Sequence, residues 1–255
     1  MVHQFFNPAN AAAFNALADK TDSKFDFYYF GLHGLAGTIR TLLVVSGSNF
    51  QFSAPADGTW ATKYKPHTPF GVLPNLRESS PDGSLVVNIA ESDAIERYLS
   101  RKFGYFGKTA HEELIISQFV AANNALATTF FKDFFTVREN PELKAANKAK
   151  MLTGAIPTWI QYHEKHLSEN PAAKEGEHGN GHYVGTSLSL ADLKAVQLIE
   201  MIQAVSGDDF INTEKTPALL KVKENVDTIP SLQAWRATEE YKALSERNLQ
   251  ALGIC

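Results

Sequence analysis

The chain has 255 residues, of which 44% are hydrophobic and 20% charged, and a formal net charge of −4. That length suits two small domains, and the composition is globular rather than disordered or fibrous. With both signs of charge interspersed there is no basic patch to hold a nucleic-acid backbone, and no apolar run approaches the roughly 18 residues expected of a membrane span. The single cysteine, Cys255, reads as a free terminal thiol. One thiol makes no internal disulfide, CxxC pair or cysteine-rich metal site, which suits a reducing compartment.

Residues 1–24 form an N-terminal extension without a basic leader. Asp19 and Asp22 argue against a secretory or mitochondrial signal, so a cytoplasmic protein is expected. Asn7-Pro8 reads as a helix cap followed by a first-turn proline, and Phe14, Leu17 and Ala18 then share one face. A short docked helix is expected here, with a disordered tail as the alternative.

Phe25–Phe30 (FDFYYF) is a short aromatic strand. Gly31–Gly34 forms a loop, and Leu35–Ser46 carries Ile39, Leu42 and Leu43 at helical spacing. Asn49–Phe52 is a second strand. Leu73–Arg77 and Ser84–Asn88 pair through the turn Ser79-Ser80-Pro81-Asp82-Gly83. Ala90–Phe103 is an amphipathic helix ending at Gly104. Together these predict a mixed four-stranded sheet with helices packed on it.

Beyond residue 105 only helical segments are expected, near 110–136, 141–167, 189–205, 216–226 and 231–246. Ser189-x-x-Asp192 marks one helix start. Ser168–Gly181, polar and glycine-rich, reads as an exposed loop. His163 and His166, and His178 and His182, lack acidic or cysteine partners at fixed spacing. They read as exposed histidines, and no metal is expected.

Four strings resemble the cytosolic glutathione transferases, in the order and spacing of that family. They are YFGLHGLAGTIRTLL (Tyr29–Leu43), KPHTPFGVLPNL (Lys65–Leu76), ESDAIERYLSRKFG (Glu91–Gly104) and SLSLADL (Ser187–Leu193). The first points to the tyrosine-type classes, with sigma nearest and pi, mu and alpha also similar. The resemblance implies an α/β plus all-α protein. A thioredoxin-like, glutathione-binding domain with a mixed four-stranded sheet would span residues 25–104, and an all-helical domain residues 105–255.

The resemblance also implies site residues. Tyr29, at the end of the first strand, would be the catalytic group holding the glutathione sulfur as a thiolate, and Tyr28 would be a core aromatic. A one-residue slip would exchange them. The ligand would be held by Leu73 before a cis Pro74, by Ser92 for the γ-glutamyl carboxylate, and by Lys65 for the glycyl carboxylate with Trp60 in support. Lys63 is the rival of Lys65. Val72 replaces a common glutamine, while His33 and Leu35 replace common arginines. Glu91 would read the α-ammonium, because the family's cross-subunit aspartate position falls on Ala125, beside Asn123 and Asn124.

Leu32, Phe131 and Phe135 would line the electrophile pocket, with Phe130 and Phe134 in the core. Relatives complete each glutathione site from a neighbouring subunit, so a homodimer is expected, and Phe70 matches an aromatic that in several classes inserts into the partner, with a buried core residue as the alternative. Glutathione would be the co-substrate, small hydrophobic electrophiles its acceptors, and detoxification by conjugation the task. A glutathione-dependent isomerase or peroxidase, or a non-catalytic protein on the same fold, stays open, since a fold does not dictate an activity.

Overall fold

The computed structural model describes residues 8–56, 58–137, 139–170 and 179–253. The chain divides into two units, Met1–Gly104 and Tyr105–Cys255. Asn7, residues 171–178 of the expected loop, His178 and Cys255 lie outside the described residues.

In the first unit β1 (Lys24–Tyr28) runs parallel to β2 (Asn49–Ser53) and antiparallel to β3 (Asn75–Ser79), which pairs antiparallel with β4 (Val86–Ala90). The sheet is thus mixed, in the order β2-β1-β3-β4. Alternation along β1 buries Phe25 and Phe27. Helices α2 (Gly37–Val45) and α3 (Ser92–Lys102) pack on each other. They bury Ile39, Leu42, Leu43, Ile95 and Leu99 completely. Each such side chain contributes about 1.5–3 kcal/mol on leaving water.

Boundaries differ from the sequence expectation. β1 stops at Tyr28, two residues early, and α2 is entered through a 3-10 turn at Gly34–Ala36. The hairpin strands sit two residues later than expected because the turn closes from Ser80 to Leu85. Ser80 N–H donates to the Leu85 carbonyl (3.0 Å), and the Asp82 carboxylate accepts Ser84 N–H (3.1 Å). Pro74 has no N–H to offer a strand pairing.

The N-terminal helix α1 (Pro8–Ala18) belongs to this first unit and packs on β4. Leu17 is fully buried, and its carbonyl accepts Lys102 Nζ at 2.6 Å. The Phe14 ring lies 4.9 Å from that of Tyr98.

Among the described residues the second unit is helical. α4 (Ala110–Phe130) continues into a π-turn at Phe131–Phe135, followed by α5 (Pro141–Thr153), α6 (Ala155–Glu169), α7 (Leu190–Ser206), α8 (Pro217–Asp227), α9 (Pro230–Arg236) and α10 (Glu239–Leu252). The segment expected over 141–167 breaks at Gly154. Pro157 then falls in the first turn of α6, where its missing N–H costs nothing. The segment expected over 231–246 breaks at Thr238, whose hydroxyl accepts Tyr241 N–H (3.2 Å) and caps α10.

Buried α7 packs against α4 and α8. The Asp192 carboxylate accepts Ser189 N–H (2.7 Å), Ser189 Oγ (2.8 Å) and Tyr183 N–H (2.8 Å), closing the expected cap.

Two readings need correction here. Residues 110–135 do contain an 18-residue window apolar enough for a membrane span, with mean hydropathy 1.3. The apolarity comes from one buried face, Ile116, Val120, Leu126 and Phe130, and a surface rich in alanine. Length and composition alone do not make it a span. His163 is buried rather than exposed, because its ring stacks on Trp159 (4.3 Å) and its Nδ1 shares a hydrogen bond with Tyr183 Oη (2.7 Å).

Candidate functional site

Strand register gathers the first candidates. Tyr28 pairs with Asn75, and Asn75 with Ala90, so Tyr29, Pro74 and Glu91 each lie one residue beyond the same row of the sheet. Tyr29 N–H still reaches the Ser53 carbonyl of β2 at 3.0 Å. Side chains alternate along a strand, so Tyr29 follows the buried Phe25 and Phe27, while Tyr28 points to the opposite face.

Only 4% of Tyr29 is exposed, and its Oη accepts the Leu35 N–H at 3.1 Å. Gly34 makes this possible. Its φ is +43°, and a Cβ there would stand 2.7 Å from Tyr29 Oη. Burial raises the pKa of Tyr29, with the Leu35 N–H and Arg40 pulling it back. The net direction is upward, so the hydroxyl keeps its proton at neutral pH.

Tyr28 has a buried hydroxyl, and its ring lies 5.5 Å from that of Tyr64. Burial and the neighbouring Tyr64 push its pKa to about 12.

A π-turn at Trp60–Tyr64 and a 3-10 turn at Lys65–His67 follow β2. Trp60 meets the Phe30 ring edge-on at 5.5 Å, so it sits against the residue after Tyr29. The Lys65 stem passes Gly71, where a Cβ would meet its Cε at 3.5 Å. Gly71 is followed in the chain by the exposed Val72 and the buried Leu73. Lys63 instead lies over the Tyr64 ring, 5.4 Å from its centroid.

The Leu73–Pro74 peptide bond is cis. Glu91, with φ 72°, is the positive-φ non-glycine among the described residues, and it occupies the N-cap of α3. Ser92 is therefore the first helical residue and not the cap, placed among first-turn N–H groups that have no partner inside a helix.

Leu32, half-buried, belongs to the first unit, and Phe131 and Phe135 to the second. Within the second unit Phe130 and Phe134 are fully buried, Phe131 is 39% exposed, and Phe131 and Phe135 stack at 6.0 Å. Phe70 is 56% exposed. Asn123 is buried and accepts Trp159 Nε1–H at 2.9 Å, which commits it to the core, whereas Ala125 is exposed.

Two residues near Tyr29 escaped the sequence reading, Gly34 and Arg40. The available signal for Arg40 was a lone charge between Ile39 and Leu42 on an otherwise uncharged helix.

Comparison with known proteins follows the same lines. Residues 127–239 match the family model described as the C-terminal domain of glutathione S-transferase. Glutathione S-transferase 3 of Caenorhabditis elegans is 29% identical over 212 residues, covering 82% of this chain and 93% of the relative. A class-mu 28 kDa glutathione S-transferase isozyme of Schistosoma japonicum is 30% identical over 224 residues, 88% of this chain and 98% of the relative. Among solved structures, a Nu-class enzyme from Haemonchus contortus superposes with a TM-score of 0.66 at 28% identity, covering 85% of this chain and 97% of that one. With a thioredoxin-like sheet unit, a helical unit and a 30% identical relative matched over nearly its whole length, the chain belongs to the glutathione S-transferase family.

Proposed function

We propose that the first unit binds glutathione and that Tyr29 holds its sulfur as a thiolate, which then attacks small hydrophobic electrophiles. The observation that carries this is the state of the Tyr29 hydroxyl. It stays protonated, and its oxygen already accepts the Leu35 N–H, so its own proton is free to be donated. An N–H donated into the phenol oxygen also strengthens that O–H as a donor.

A free thiol has a pKa of about 8.5. Lowering it by about two units takes nearly 3 kcal/mol of preference for the anion. A hydrogen bond to the charged form supplies part of this, and the start of α2 adds the favourable end of a helix dipole. The thiol proton leaves to solvent, and the sulfur–carbon bond forms as the electrophile's leaving group departs with its electron pair.

The rest of the tripeptide would lie along the same edge of the sheet. The backbone of Leu73 before Pro74 would pair with it like an added strand, Ser92 would take the γ-glutamyl carboxylate at the N-terminus of α3, and Lys65, supported by Trp60, the glycyl carboxylate. Glu91 would supply the carboxylate that the α-ammonium needs once removed from water, and Val72 would flank the ligand without a polar contact. Leu32, Phe131 and Phe135 would line the electrophile pocket. Exposed Phe70 would dock on a second copy in a homodimer, and the protein would work in the cytoplasm.

Retention on immobilised glutathione, followed by conjugation of a general aromatic electrophile, tests this. Loss of both would reject it.

A further inference from the structure

We infer that Arg40 is the positioning residue for Tyr29, fixing the loop beyond the tyrosine and setting a positive charge beneath its ring. This rests on the assignment of Tyr29 as the sulfur-holding group.

Arg40 is 2% exposed, on a helix whose neighbours Ile39, Leu42 and Leu43 are core residues. A guanidinium is seldom taken into such a place unless it is hydrogen-bonded. Its Nη1 donates to the Leu32 carbonyl at 2.7 Å and reaches that of His33 at 3.5 Å, and its Nη2 donates to the Phe30 carbonyl at 3.1 Å. These carbonyls span the loop between Tyr29 and the 3-10 turn that carries the Leu35 N–H. One planar fork thus sets the loop that aims Tyr29 Oη, and with it Leu32.

The charge is placed as deliberately as the hydrogen bonds. Arg40 Cζ lies 5.7 Å from the Tyr29 ring centroid, 5.6 Å from that of Phe27 and 5.4 Å from that of Phe52. Aromatic faces favour a cation at such distances. The other group acting on the Tyr29 hydroxyl is the uncharged Leu35 N–H. A thiolate on Tyr29 Oη would therefore gain from Arg40 through the hydroxyl in two ways, a donor fixed in place and a donor made more acidic by the charge behind its ring. Lysine keeps the charge but cannot reproduce the fork.

Arg40→Lys and Arg40→Met, each with Tyr29 and with Tyr29→Phe, test this in the full chain. The readout is the apparent pKa of the bound glutathione thiol, followed by thiolate absorbance, with glutathione Kd and the thermal midpoint measured alongside. With Tyr29 present, the thiol pKa should rise by about half a unit in Arg40→Lys and about one unit in Arg40→Met. With Tyr29→Phe, the further rise should fall below about 0.3 unit. If Arg40→Met does not fold, Arg40→Lys decides alone. An unchanged thiol pKa in folded Arg40→Lys overturns the role, and so does an equal shift with and without the Tyr29 hydroxyl. Should Tyr29→Phe by itself leave the thiol pKa unchanged, the assignment of Tyr29 falls first and that of Arg40 with it.

Discussion

Lys102 Nζ lies 2.9 Å from Glu78 Oε1, and neither side chain has exposed area. Tyr98 Oη donates to the other Glu78 oxygen at 2.5 Å, and Lys102 also caps the Leu17 carbonyl. One buried cluster thus joins β3, α3 and α1. Removing either partner strands the other charge, so Lys102→Met or Glu78→Gln should each lose about 3–5 kcal/mol of stability in urea unfolding. A loss below about 1 kcal/mol would show that water reaches the pair.

Glu91 should separate stability from binding. A non-glycine held at positive φ costs about 1–3 kcal/mol, so Glu91→Gly should raise the thermal midpoint. The same change, like Glu91→Gln, should weaken glutathione binding by about 1–3 kcal/mol, as expected for a charge-assisted hydrogen bond. Calorimetric titration that finds undiminished affinity in Glu91→Gln would remove Glu91 from the ligand site.

Gly34→Ala should move Tyr29. The new methyl would stand 2.7 Å from Tyr29 Oη, closer than packing allows, and a side chain at positive φ adds about 1–2 kcal/mol. We expect kcat/KM to fall by about ten- to a hundredfold, with glutathione Kd little changed because the tripeptide is held elsewhere. An active Gly34→Ala enzyme would mean that the tyrosine need not occupy this position.

His163 should make the second unit acid-sensitive. Burial, aided by nearby His166, lowers its pKa to about 3. The folded-state value lies below the unfolded one of about 6.5. Its stabilising contribution is therefore complete above pH 6.5 and is lost as pH falls toward 3. Between pH 6.5 and 5 that amounts to about 2 kcal/mol, and His163→Phe should flatten this part of the pH–stability curve. An identical slope in the variant would exclude His163 as the source.

The type and order of most elements could be read from periodicity, because the buried faces of α3 and α8 repeat as helices must. Their ends were less legible. FDFYYF carries no mark of where pairing stops, and the break at Gly154 depends on how Pro157 meets the preceding turn. Tyr29, Lys65 and Ser92 came from resemblance, not from spacing. Arg40 was hidden because a charge on a helix ordinarily faces water, and burial of His163 depends on Tyr183, twenty residues later. Such partnerships belong to the fold and leave no local pattern.

The most direct test of the account is the apparent pKa of the glutathione thiol in complexes of the unaltered protein, Tyr29→Phe and Tyr28→Phe. Removing the Tyr29 hydroxyl should raise that pKa by about one to two units while leaving glutathione Kd nearly unchanged, and Tyr28→Phe should leave it where it was. A pKa untouched by Tyr29→Phe but shifted by Tyr28→Phe would contradict the assignment of Tyr29 and move the chemistry to the other face of the strand.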